Sequence, residues 1–197
     1  MTLLTVTATQ LLEIIEHGVA ATEPGATPGQ FPQVSGIKFS FDPDLPSGNR
    51  VQSLTIVDES GAIIDTVVQN SELVGDASRS FRLVTLSFLA DGGDGYPFPT
   101  TPAADRVDLA LADNAPRTGV ATFAPDGSEQ DALAEYLTAT FPQNTPVNIA
   151  DTSPQQDERI QNLNARQDTV LPTPPAPPEL VFGTQNNDRL DAGATPP

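Results

Sequence analysis

From Phe88 to Tyr96 the chain reads Phe-Leu-Ala-Asp-Gly-Gly-Asp-Gly-Tyr, an aromatic residue followed by a loop of glycines and carboxylates. An aromatic face can stack on a flat ligand with an energy of about 1–3 kcal/mol, whatever that ligand's edge chemistry. A loop carboxylate such as Asp94 is a strong acceptor for paired hydrogen-bond donors. Gly92, Gly93 and Gly95 lack a Cβ, so the backbone around that carboxylate can come close to a ligand. Each residue also has an ordinary reading. Phe88 at the end of an apolar strand reads as core, and Asp94 in a Gly-rich loop reads as a turn former. Asp91 reads as a plain loop carboxylate, Tyr96 as a ring packed beneath the loop, and His17 as a capping or packing residue on a helix. Near the C-terminus a further carboxylate, Asp188, stands among Gly183, Asn186 and Asn187.

Composition limits what these residues can serve. A length of 197 residues accommodates one ordinary domain and a tail. The formal net charge is −17, with Lys38 as the single lysine and arginines scattered one at a time. A nucleic-acid polymer needs a clustered basic surface to neutralise its phosphates, so that partner class is excluded. The acidic balance argues against anionic membranes, and no apolar run is long enough to cross a bilayer. Cysteine is absent and His17 is the only histidine, which leaves no ligand set for structural zinc. Met1–Val6 lacks the basic region of a signal peptide. Either export uses another route or the true beginning lies upstream.

The elements that must position the loop follow from periodicity. Residues 3–6 read as a short strand running into a helix with Thr9 as N-cap. Leu11, Leu12, Ile15 and Val19 recur at helical spacing, which leaves Glu13 and Glu16 exposed and puts Gly18 near the stop. After a loop to Pro32, Ile37, Phe39 and Phe41 alternate with Lys38, Ser40 and Asp42, a strand with one buried and one wet face. Residues 42–49 form a turn. Val51–Val57 and Ala62–Val68 form a hairpin about Asp58–Gly61. Phe81–Leu86 is apolar on both faces, as a central strand would be. Ser128 reads as the N-cap of a helix whose Leu133, Leu137 and Phe141 make an apolar stripe. From residue 150 onward the sequence is polar, and Leu171–Pro178 is a proline-rich, extended spacer. The expected fold class is α+β, a mixed sheet with packed helices, followed by a disordered linker.

Two segments together carry a family resemblance. One comprises Leu11–Val19, Phe31–Phe39 and Gly48–Val51; the other is Phe88–Pro97. In this order and spacing they resemble the C-terminal domain of the 5'-nucleotidase and UDP-sugar hydrolase family, over about residues 1–100. The resemblance implies the second half of a nucleotide-recognition domain. Phe88 would be one of two rings that sandwich a nucleobase, Asp94 would accept hydrogen bonds from the ribose hydroxyls, and Gly92 and Gly93 would shape the contact. It also implies an N-terminal metallophosphatase domain in cis, whose two divalent metals activate the attacking water. The family's Asn-Ser-Gly-Gly-Ile-Arg-like stretch is missing, and its first stacking aromatic falls at or before Met1. Ser87 stands where the family often has Asn. No metal-binding motif of the catalytic domain is present, so no catalytic residue is assigned and this chain alone is expected to be inactive.

The tail, Val181–Gly193, resembles the opening of an RTX array, the calcium-binding nonapeptide repeat. There Asp188 would ligate calcium in an incomplete site and Leu190 would pack inside. RTX-type export would suit a secreted, extracellular or periplasmic bacterial protein. The expected organisation is a partial recognition domain over 1–100, an extension over 101–148 with a helix near 129–139, a linker over 149–178 and the repeat start over 179–197. The expected function is nucleoside recognition within a secreted 5'-nucleotidase-type phosphoester hydrolase. The alternative is a non-catalytic secreted nucleoside-binding or adhesion module with an RTX tail.

Overall fold

Thr2, Leu4 and Val6 point into the protein and their neighbours point outward along β1 (Thr2–Thr7), the period-2 pattern that an apolar and β-branched run produces. In this computed structural model, residues 1–26, 28–100, 104–141, 145, 147 and 150–172 are described. The strand passes directly into α1 (Ala8–Val19). The N-cap is Thr7, not Thr9: Thr7 and Gln10 exchange side-chain and backbone hydrogen bonds in a capping box. Thr9 instead donates its hydroxyl to the Ala77 carbonyl. Leu11, Ile14, Ile15 and Val19 are buried, and the helix packs against β1, β3 (Val51–Val57) and β4 (Ile63–Gln69).

Glu16 departs from the exposed position its sequence neighbourhood suggests. It is 8% exposed, and its two carboxylate oxygens accept from the backbone N–H groups of Arg50 and Val51 at 3.0 and 2.8 Å. The Arg50 guanidinium in turn donates to the carbonyls of Val19, Thr22 and Leu45. A buried carboxylate is tolerated where hydrogen bonds replace its water, and this pair ties the end of α1 to the start of β3.

The strands form two sheets. One has the order β6-β1-β7, with β6 at Ser80–Thr85 and β7 at Val107–Asp108. The other has the order β5-β4-β3-β2-β8, with β2 at Ile37–Phe41, β5 at Glu72–Leu73 and β8 at Ile160–Asn162. All pairings are antiparallel except β2 with β8, which makes the second sheet mixed. One core cluster, including Leu4, Val6, Ile14, Phe39, Leu54 and Val68, joins both sheets to α1. The α+β class therefore holds.

The strands and α3 bring further corrections to the sequence reading. The stretch 81–86 is not a central strand: β6 lies at the end of its sheet, β1 takes the centre, and Arg82 and Val84 face outward while Phe81 and Leu83 face in. The stripe on α3 (Glu129–Thr140) is covered only in part, with Leu133 57% exposed and Leu137 and Phe141 half-buried, and Ser128 caps the helix as expected. The polar stretch after residue 150 is not all linker. Part of it is β8, and Asp168 Oδ2 accepts from the hydroxyls of Ser40 and Ser53 at 2.6 and 2.7 Å. Ser40 is consequently fully buried rather than wet. The proline-rich spacer from residue 173 and the tail carrying Asp188 lie outside the described residues.

Candidate functional site

The chain leaves β6 through Leu86 into α2 (Ser87–Ala90), a single helical turn with no side-chain cap at its N-terminus. Phe88 is on this turn and is 61% exposed, so it is not a core residue. Gly92 follows with φ 87°, a left-handed conformation that reverses the chain. A 3-10 turn, Gly93–Gly95, then contains Asp94 at φ 53°, left-handed for a residue with a side chain. Asp and Asn bear that conformation at lower cost than other non-glycine residues.

The glycines have separate reasons. A Cβ at Gly93 would lie 2.5 Å from both Cε1 and the carbonyl oxygen of Phe88. Position 93 is thus the wall against which the Phe88 ring rests, and any side chain there would push the ring aside. Gly18, read from sequence as a helix stop, marks a close approach instead: its Cβ would meet Pro32 Cδ at 2.8 Å and the Tyr96 hydroxyl at 3.0 Å.

The loop is held from below by groups far away in sequence. His17 Nε2 lies 2.8 Å from the Asp94 carbonyl oxygen. A carbonyl only accepts, so this nitrogen carries the proton and donates. The His17 ring meets Tyr96 edge-on with centroids 4.7 Å apart. Tyr96 is buried beneath the loop, stacks on Phe98 and donates its hydroxyl to the Gln30 carbonyl. Burial pushes its phenol pKa up, and the nearby negative charge of Asp94 adds to the rise. The sequence suggested packing or capping for His17; its support of the Asp94 backbone was not legible.

Phe88 and Asp94 line one cavity of about 1040 Å³, which runs between the two sheets past Phe31, Phe81 and Phe98. The Asp94 side chain is exposed and takes no hydrogen bond among the described residues, leaving its oxygens free to accept from a ligand. The arrangement offers an exposed aromatic face, a carboxylate across a short loop, and an apolar floor. Among the described residues no group of three or more His, Cys, Asp or Glu side chains is placed to hold a metal ion.

Comparison with known proteins agrees with this architecture. The family model described as 5'-nucleotidase, C-terminal domain matches residues 1–101. The trifunctional nucleotide phosphoesterase protein YfkN of Bacillus subtilis is 34% identical over 107 residues, covering 54% of this chain and 6% of that protein. A snake venom 5'-nucleotidase from Crotalus adamanteus is 34% identical over 94 residues, covering 48% of this chain and 15% of the venom protein. The chain thus spans a small fraction of these relatives' length. The crystal structure of a 5'-nucleotidase precursor from Thermus thermophilus superposes with a TM-score of 0.53 at 25% identity, over 83% of this chain and 25% of that one. With a family match over half its residues and a fold to go with it, the chain belongs to the 5'-nucleotidase C-terminal domain family.

Proposed function

We propose that this chain is the nucleoside-recognition part of a secreted phosphoester hydrolase of the 5'-nucleotidase type. The observation that carries the reading is the exposed Phe88 ring, backed by Gly93 and sharing a cavity with the Asp94 carboxylate, which is unpaired among the described residues. Phe88 stacks on the nucleobase, Asp94 accepts from the ribose hydroxyls, and Gly92 and Gly93 let the backbone approach. Hydrolysis belongs to a metallophosphatase domain in cis with two divalent metals, since the described residues supply no such ligand set. The small share of its relatives that the chain spans supports a longer parent. The venom source of one relative supports secretion. Asp188 is a calcium ligand in this reading, in a repeat that needs further turns to complete its site.

One ring and one carboxylate give weak binding. Stacking of about 1–3 kcal/mol and a hydrogen-bonded carboxylate of about 1.5–3 kcal/mol put adenosine affinity near the millimolar range. The test is an amide chemical-shift titration of the chain with adenosine. Shifts confined to residues 87–96 and lost in Phe88→Ala are expected. Shifts elsewhere, or no shifts at tens of millimolar ligand, would reject the site. Micromolar binding would favour the non-catalytic binding module, because a free-standing binder must hold its ligand without a second domain.

A further inference from the structure

Arg106 stands beyond residue 101, where the family match ends, yet its side chain reaches back to the Gly-rich loop. Nη1 donates to Asp91 Oδ1 at 2.6 Å, while Nε and Nη2 donate to Asp108 Oδ1 at 3.3 and 3.2 Å. The same Asp108 oxygen lies 3.0 Å from Thr2 Oγ1, which in turn lies 3.0 Å from Ser87 Oγ. A carboxylate only accepts, so the Thr2 hydroxyl donates to Asp108 and accepts from the Ser87 hydroxyl. The result is a closed ring of polar contacts: Arg106, Asp91, α2, Ser87, Thr2, Asp108 and back to Arg106.

This ring grips α2 at both ends. Ser87 is the first residue of the turn, Asp91 is its C-cap, and Phe88 lies between them. A single uncapped turn has little stability of its own, because helix nucleation is unfavourable. Its orientation must come from outside. The strand β7 supplies a fixed base: Val107 and Asp108 pair with Leu3 and Thr2, and Leu109 N–H donates to the Met1 carbonyl. Leu89 and Ala90 hold the inner side of the turn against the core, while Phe88, 61% exposed, adds little to that hold.

We propose that Arg106 is a positioning residue that sets the orientation of Phe88 by clamping Asp91, and so tunes how the ring meets a flat ligand. The ligand half of this statement rests on the reading that Phe88 stacks on a nucleobase. The orientation half does not.

The chain contains no tryptophan, so F88W introduces a single indole at the position in question. Time-resolved fluorescence anisotropy and adenosine quenching are measured for F88W and for F88W combined with R106Q, R106K or D91N. R106Q is expected to widen the nanosecond wobble of the indole and weaken adenosine quenching about two- to fivefold, the range of an exposed ion pair. D91N is expected to reproduce it, and R106K, which keeps the charge, to recover part of the loss. Raising sodium chloride to about 1 M is expected to loosen the F88W indole and leave the R106Q variant unmoved, because salt screens exposed charges. An unchanged wobble in R106Q and D91N overturns the proposal, as does an R106K variant as loose as R106Q. Weakened binding with unchanged wobble also overturns it, assigning Arg106 to direct ligand contact. If adenosine quenches none of the proteins, the nucleoside reading fails while the anisotropy still decides the role of Arg106.

Discussion

Gly18 shows how a residue with a familiar local meaning serves a different purpose in the folded protein. Its place near the end of α1 suggests a helix stop, but the space it leaves is filled by Pro32 and the Tyr96 hydroxyl. Gly18→Ala is therefore expected to destabilise the protein by about 1–3 kcal/mol, the usual cost of overpacking, read from urea melts. Because Tyr96 supports the Gly-rich loop, the same variant should accelerate amide exchange at residues 93–96. A variant as stable as the parent would show instead that Pro32 and Tyr96 yield to the added methyl without cost. Residues within a few positions of one another were legible from sequence. Phe88, Gly92, Gly93 and Asp94 form one contiguous motif, and the structure places two of them on one cavity. Glu16, His17 and Arg106 were not legible in their roles. Glu16 bonds across 34 residues and His17 across 77, and periodicity carries no information on such separations.

Among the elements, β8 has the least sequence signal and a clear structural consequence. Ile160 and Gln161 are buried in a stretch whose composition reads as linker. They enter the sheet because Phe39 N–H donates to the Arg159 carbonyl and Leu163 N–H to the Phe41 carbonyl, completing the open side of β2. Asp168 then locks the segment by accepting hydrogen bonds from the Ser40 and Ser53 hydroxyls. Asp168→Ala leaves two hydroxyls without that acceptor and is expected to cost about 1–3 kcal/mol. Hydrogen exchange should show the loss first at the Leu163 and Thr169 amides, before global unfolding. Uniform loss of protection across both sheets would show instead that the segment is part of the main cooperative unit. The hairpin of β3 and β4 was legible because alternation and turn residues are local. The place of β6 was not, since an apolar run does not reveal whether it has one neighbour or two.

At the scale of the whole molecule, 26 carboxylates face nine lysines and arginines, and the net charge of −17 opposes compaction. The exposed ion pairs, such as Arg82 with Asp105, offset little of this, because surface pairs contribute at most about 1 kcal/mol each. Raising ionic strength from about 10 to about 500 mM shrinks the Debye length from roughly 30 to roughly 4 Å. The thermal midpoint should therefore rise by several degrees, equally in sodium and potassium chloride. A midpoint that falls with salt would mean that specific ion pairs outweigh the general repulsion. The sequence alone determined the charge, the absent thiols, the helix α1, the strands β1 to β4 and β6 as local elements, and the family pattern around Phe88. All of these depend on composition or on residues close enough to share a turn. Only the tertiary structure decided that β1 and not β6 is central, that a polar stretch completes the second sheet, and that His17 and Arg106 reach the loop. Those outcomes depend on which donors and acceptors meet after the chain has closed on itself, and burial of Glu16 and Ser40 is tolerable only once their distant partners are in place.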